Sequence, residues 1–125
     1  MVLDTSALLA ILQNEAERAS FITNIVEAPV CRISAASYVE AGIVMQSRNG
    51  RAGLHQLMLF LSRANVSIEP VDKEQAELAL EAYHRYGKGR HKAALNYEDC
   101  FSYALASAKE EPLLYKGTDF SLTDL

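Results

Sequence analysis

The sequence predicts one α/β domain spanning residues 1–125, a three-layer α/β/α sandwich around a central parallel sheet of four strands. Three observations lead there. Short apolar runs recur at Met1–Leu3, Val30–Ser34, Val66–Val71 and Leu113–Tyr115, each the length of a strand rather than a helix. Between them lie amphipathic stretches long enough for crossover helices, and such alternation builds a parallel sheet covered on both faces. The chain has 125 residues, half of them hydrophobic, enough for a single core and too apolar for disorder. No apolar run approaches the ~20 residues that span a bilayer, and Asp4 interrupts the N-terminal one. A soluble, cytoplasmic protein is the expectation.

Taken in order, Val2-Leu3 runs straight into Asp4, the capping residues Thr5 and Ser6, and then Ala7–Leu12, apolar nearly all round. This reads as a buried central strand turning directly into a buried helix. Asn14, with Glu17 three positions on, carries the signature of a second helix cap, and Pro29 stops that helix after about Glu27. Ser34 then caps a helix from Ala35 to Arg48, closed by Asn49-Gly50 as a left-handed cap. Val39, Ile43 and Ala36 form an apolar stripe along it. A further helix carries Leu54, Leu57, Met58, Leu61 and Ala64 on one face, with His55 at the surface. Val66–Val71 contains Pro70 and is assigned to a sheet edge. Asp72 caps the next helix, with Gln75 in the capping-box position and Ala76, Ala79, Leu80 and Tyr83 inside. Asn96 caps the last long helix, which Glu111-Pro112 ends before the fourth strand.

Four acids stand where a structural role and a chemical one are both open. Asp4 follows the first strand, at the carboxyl edge where open α/β sheets bind ligands. Glu40 lies inside an otherwise apolar helix, with Ala41, Gly42 and Val44 about it. Asp99 sits in the first turn after Asn96, where the helix dipole favours an anion, and capping is its alternative job. Asp119 follows the fourth strand; Asp124 is a weaker candidate for the same neighbourhood. Right-handed crossovers bring the strand ends and the following helix starts to one edge, so these acids are expected to converge.

The charge is −4, from 16 acids against 12 Lys and Arg. With four acids assigned to a pocket neutralised by two divalent cations, the remaining 12 balance the 12 bases, so the balance does not exclude a nucleic-acid partner. A third of those bases lies in Arg85-Tyr86-Gly87-Lys88-Gly89-Arg90-His91-Lys92. Arg85, Lys88, Arg90, His91 and Lys92 are therefore candidate phosphate contacts on a mobile loop. Cys31 and Cys100 lack metal or redox spacing and are read as reduced, buried thiols.

The blocks Val2-Leu3-Asp4-Thr5-Ser6-Ala7-Leu8, Ser37-Tyr38-Val39-Glu40, Leu95 to Ala106 and Leu113 to Phe120 together resemble a PIN-domain ribonuclease of the VapC toxin type. The resemblance covers almost the whole chain. It implies that Asp4, Glu40, Asp99 and Asp119 bind Mg2+ or Mn2+, and that the Ser6 hydroxyl supports the cluster. It also implies a homodimer, an RNA substrate and inhibition by a cognate VapB antitoxin. Only Ser121 to Leu125 follow the last acid, so the fifth strand usual in the family is expected to be short or missing. The chemistry agrees: hard cations choose carboxylate oxygens, and no His/Cys grouping suits zinc. Packed carboxylates raise one another's pKa values until a cation relieves them. Thr5, Ser6 and Thr118 are the expected supporting hydroxyls.

Two other readings are carried. A phosphorelay receiver domain shares the length and parallel sheet, with Asp72 and Lys116 near suitable strand ends, but Asp4 lacks an acidic neighbour. A catalytically inactive module that binds RNA or protein would keep the fold without turnover. The face from Leu54 to Leu61 is the expected surface for a second copy or an antitoxin helix.

Overall fold

A computed structural model describes all of residues 1–125. In chain order it contains β1 (Val2–Leu3), α1 (Thr5–Leu12), α2 (Arg18–Glu27), β2 (Cys31–Ser34), α3 (Ala35–Arg63), β3 (Val66–Glu69), α4 (Lys73–Tyr86), α5 (Tyr97–Lys109) and β4 (Leu113–Leu114). A short 3-10 helix, Phe120–Leu122, follows. The sheet is parallel throughout, in the order β3-β2-β1-β4, with Val2 in register with both Arg32 and Leu113. The expected four strands form; the fifth is missing, its place taken by the 3-10 helix.

Two residues of β1 suffice to separate the layers, because successive side chains leave a strand on opposite faces. Leu3 enters the larger core with Leu8, Ile11, Ile33, Met45, Leu57 and Leu61. Val2 packs on the other side against Leu105 and Ala106 of α5. Beside that contact lies a second core, built from Ala82, Tyr86, Leu95, Tyr103, Ala104 and Phe120. β1 lies between β2 and β4, so the end of its run, Asp4, emerges at the middle of the sheet's carboxyl edge.

Several local expectations change. Asn14 has a positive φ of 55° and terminates α1 rather than capping α2; Glu17 occupies that N-cap position without a side-chain hydrogen bond. Gly50 does break α3, but at φ 62° and ψ −150°, outside the left-handed helical region and in one open essentially to glycine alone. The halves of α3 then fold back together. An added Cβ at Gly53 would fall on the Met45 carbonyl, and one at Gly42 would touch Leu54 and Leu57. Leu57 and Leu61 are consequently buried and Leu54 is half-buried, so of the apolar residues on the expected partner face only Met58 and Leu59 are left exposed. The stripe of Val39 and Ile43 points outward, at 57% and 59% exposure.

α4 is also rotated from the expected setting. It buries Gln75, Ala79, Ala82 and Tyr86, while Leu80 and Tyr83 remain exposed along a groove shared with Tyr97, Cys100 and Phe101 of α5. The segment after α4 is ordered by its backbone. Lys88 N–H donates to Leu95 O and Leu95 N–H to Tyr86 O, both at 2.9 Å, and His91 and Arg90 N–H donate to Gly87 O. Buried Ala93 and Leu95 anchor it in the second core, so this is a pinned turn instead of the mobile loop expected from two glycines.

Candidate active site

Asp4 is the centre of the carboxyl edge. It is 5% exposed and caps α1, accepting from Ser6 N at 3.0 Å and Ser6 Oγ at 2.6 Å on one oxygen. Its other oxygen accepts from Ser102 Oγ of α5 at 2.6 Å. Ser6 Oγ in turn accepts from Lys116 N at 3.0 Å, and Asp4 N donates to Leu114 O at 2.9 Å. The first and fourth strand ends are thus tied through one serine. Asp4 thus caps α1 with one oxygen and is tied to α5 by the other.

Asp99 closes a reciprocal capping box. Asp99 N donates to Asn96 Oδ1 at 2.9 Å and Asn96 N to Asp99 Oδ2 at 3.0 Å. That leaves its second oxygen free. Burial, with the charges of Asp4, Asp119 and Glu40 in support and the Asn96 N–H opposing, pushes its pKa up to about 6. Burial likewise raises Glu40, against the pull of the Thr5 hydroxyl and with added repulsion from Glu98 and Asp4. Thr5 Oγ1 donates to Ser37 O at 3.3 Å, one turn before Glu40. Glu98, which sequence reasoning passed over, is raised by burial and by Asp99 and Asp4. No lysine, arginine or histidine is among the groups that set these three carboxyls.

Asp4, Glu40 and Asp119 therefore each act on the Asp99 carboxyl, and Asp4 and Glu98 act on that of Glu40. They form an acidic rim around Asp4, not a closed cage: no three of the chain's acids, histidines or cysteines converge on one point. Asp119 is exposed at the start of the 3-10 helix without a capping bond. The donor set nonetheless fits a hard divalent cation. It consists of carboxylates with hydroxyl support and no imidazole, and the adjacent Cys100 thiol is held protonated by burial and Asp99, its pKa about 11.

Other assignments move. Thr118 is exposed, and only its carbonyl is used, by Ser121 Oγ. Asp124 lies outside the rim, accepting from Tyr103 Oη at 2.6 Å and pairing with Arg85 at 3.5 Å. Arg85 is further engaged with the Tyr86 hydroxyl at 2.6 Å. His91 Nδ1 accepts from Ala93 N at 3.0 Å, and its ring meets Tyr86 edge-on. Lys88, Arg90 and Lys92 form no ion pair and stay exposed. Ser37 and Ser102 were also missed. Their signal was periodic: Ser102 is one turn after Asp99 and Ser37 one turn before Glu40.

A family model for the PIN domain matches residues 1–124, and the chain belongs to the PIN-domain family. Within it the chain is of the VapC type. It is 52% identical to Ribonuclease VapC of Mycolicibacterium smegmatis over all of this chain and 97% of that one. It is 46% identical to Ribonuclease VapC30 of Mycobacterium tuberculosis, again over all of this chain and 95% of that one. Among solved structures it resembles M. tuberculosis VapC20, described as a Sarcin-Ricin loop cleaving toxin, with a TM-score of 0.75 at 23% identity over 99% of this chain and 97% of that one. A Klebsiella pneumoniae toxin-antitoxin complex gives a TM-score of 0.74 at 18% identity over 96% of this chain and 89% of that one. These likenesses are to the fold. The chain is not a receiver domain: Asp72 caps α4 through Gln75 N at 2.9 Å, and Lys116 pairs with Glu15 at 2.6 Å.

Proposed function

We propose that this chain is the endoribonuclease toxin of a toxin-antitoxin pair, hydrolysing RNA phosphodiester bonds at the acidic rim with Mg2+ or Mn2+ and so inhibiting translation. The observation that carries this reading is buried Asp4 with four further carboxylates about it, Glu40, Glu98, Asp99 and Asp119, and no cation of the chain among the groups that act on Glu40, Glu98 and Asp99. Full-length relatives named as VapC ribonucleases support it.

Asp4, Glu40, Asp99 and Asp119 would hold the ion, directly or through water. When bound, a divalent ion supplies charge to activate a water and to stabilise the leaving oxygen. The chain itself does the rest. Ser6 and Ser102 fix the Asp4 carboxylate, the capping box fixes Asp99, and the Thr5 hydroxyl ties the start of α1 to the turn that precedes Glu40. Asp99, whose second oxygen the capping box leaves free, would take the proton of the attacking water. Lys88, Arg90 and Lys92 are free to contact phosphates of the incoming strand.

The partners follow the same reading: RNA, a VapB-type antitoxin and a second copy of the chain, all in the cytoplasm. No helix is long and apolar enough to cross a membrane. The first test is Asp99→Asn, which keeps shape and removes charge. Cleavage of RNA by the purified variant should fall at least about 100-fold with either metal, in line with loss of a general base; undiminished cleavage refutes the assignment.

A further inference from the structure

We infer that Ser102 is a positioning residue for Asp4, its own hydroxyl oriented by Ser37. Three elements meet in this contact: the cap of α1, the first turn of α3 and the middle of α5. Ser102 and Ser37 are 0% and 1% exposed, so neither reaches RNA or solvent. A serine inside a helix ordinarily turns its hydroxyl back to the carbonyl one turn earlier. Ser102 instead reaches across to Asp4 Oδ1 at 2.6 Å, 98 residues away in sequence.

Proton counting fixes the direction. A carboxylate only accepts, so Ser102 gives its single proton to Asp4. The 3.2 Å contact between Ser102 Oγ and Ser37 Oγ must then be donated by Ser37. The chain runs Ser37 to Ser102 to Asp4, and bonds in such a dry series strengthen one another. On the opposite oxygen, Ser6 N and Ser6 Oγ supply two donors. A carboxylate offers about four lone-pair sites, and three of Asp4's are taken. The one left belongs to Oδ1, the oxygen that Ser102 holds. Ser102 therefore decides where Asp4 presents its remaining lone pair, which rests on the reading of Asp4 as a ligand.

The test is Ser102→Ala and Ser37→Ala, each alone and with Asp4→Asn, measured by Mn2+ calorimetry on RNA-free protein, thermal melting, and cleavage kinetics. Ser102→Ala should weaken Mn2+ binding about 10- to 100-fold, the usual effect of deleting a hydrogen bond to a ligand. Ser37→Ala should weaken it less, in the same direction. kcat should fall while KM for RNA holds, and Ser102→Ala should cost nothing further once Asp4→Asn is present. A folded Ser102→Ala protein with wild-type Mn2+ affinity overturns the inference, as does an equal loss in the Asp4→Asn background. If Ser102→Ala does not fold, an unchanged affinity in Ser37→Ala overturns it instead. Wild-type protein that binds no Mn2+ overturns the ligand reading itself, a failure distinct from one confined to the variants.

Discussion

Replacing Asp99 by asparagine should make the metal-free protein more stable at neutral pH, although the residue closes a helix cap. Its pKa rises from 3.8 to about 6 on folding, and at about 1.4 kcal/mol per pKa unit the ceiling on the cost of its charge is about 3 kcal/mol. Asp99 keeps part of its surface in water, so screening reduces this to about 1–2 kcal/mol. The substituted amide oxygen can still accept from the Asn96 N–H, while the lost attraction to the helix dipole returns about 0.5 kcal/mol. The net gain is about 1 kcal/mol, or about 3–5 °C in Tm for a chain of this size.

The pH dependence gives the sharper test. A carboxyl whose folded pKa is raised costs nothing while protonated in both states, below 3.8, and its full amount above about 6. Stability from this group is therefore present at low pH and lost as pH rises through that window. Melting curves in EDTA should show Asp99→Asn level with or slightly below wild type near pH 4 and above it by pH 7.5. Adding Mn2+ should reverse the order, because only the wild type gains a ligand charge. A difference independent of pH, or a less stable variant at pH 7.5, would show that Asp99 does not face the other acids as described.

Further outcomes are expected elsewhere. Glu98→Gln should also stabilise the metal-free chain at neutral pH and weaken Mn2+ binding, since its carboxyl is raised by burial, Asp99 and Asp4; calorimetry and melting check both. Alanine at Lys88, Arg90 and Lys92 together should raise KM, leave kcat intact and reduce the salt slope of RNA binding by about 2, at about 0.7 per contact to a single strand. Gly53→Ala should cost about 3 kcal/mol in urea unfolding, because its Cβ meets the Met45 backbone carbonyl rather than a movable side chain. Asp124→Ala removes the bonds to Tyr103 and Arg85; it should lower Tm and leave cleavage per folded molecule unchanged.

The elements were legible because local rules act within a few residues. Asn96 with Asp99 closes the expected capping box, and Asp72 caps α4 as expected, though Gln75 does not return the bond. Ser34 likewise caps α3, its hydroxyl accepting from Ala36 N at 3.3 Å. What misled was facing. Leu80 and Val39 are as apolar as any core residue, yet both stand outward. A helix with apolar residues on more than half its circumference does not announce which arc will be covered. Asn14 failed for a related reason: asparagine suits both a helix cap and a left-handed turn, and the chain's route around α1 chose the second.

For the candidate site, the amino-acid order alone marked the four acids and the Thr5 and Ser6 hydroxyls, and it set the sheet edge where Asp4 emerges. Strand-then-acid and cap-then-acid are short-range patterns, and right-handed crossovers carry them to one side of a parallel sheet. Only tertiary structure decided that Ser37 and Ser102 bear on Asp4, that Glu98 joins the rim, and that Asp124 and Arg85 pair with each other away from it. Those contacts link residues tens of positions apart, and they exist because α3 and α5 both pack against the end of β1. No local preference of a serine says whose oxygen it will find.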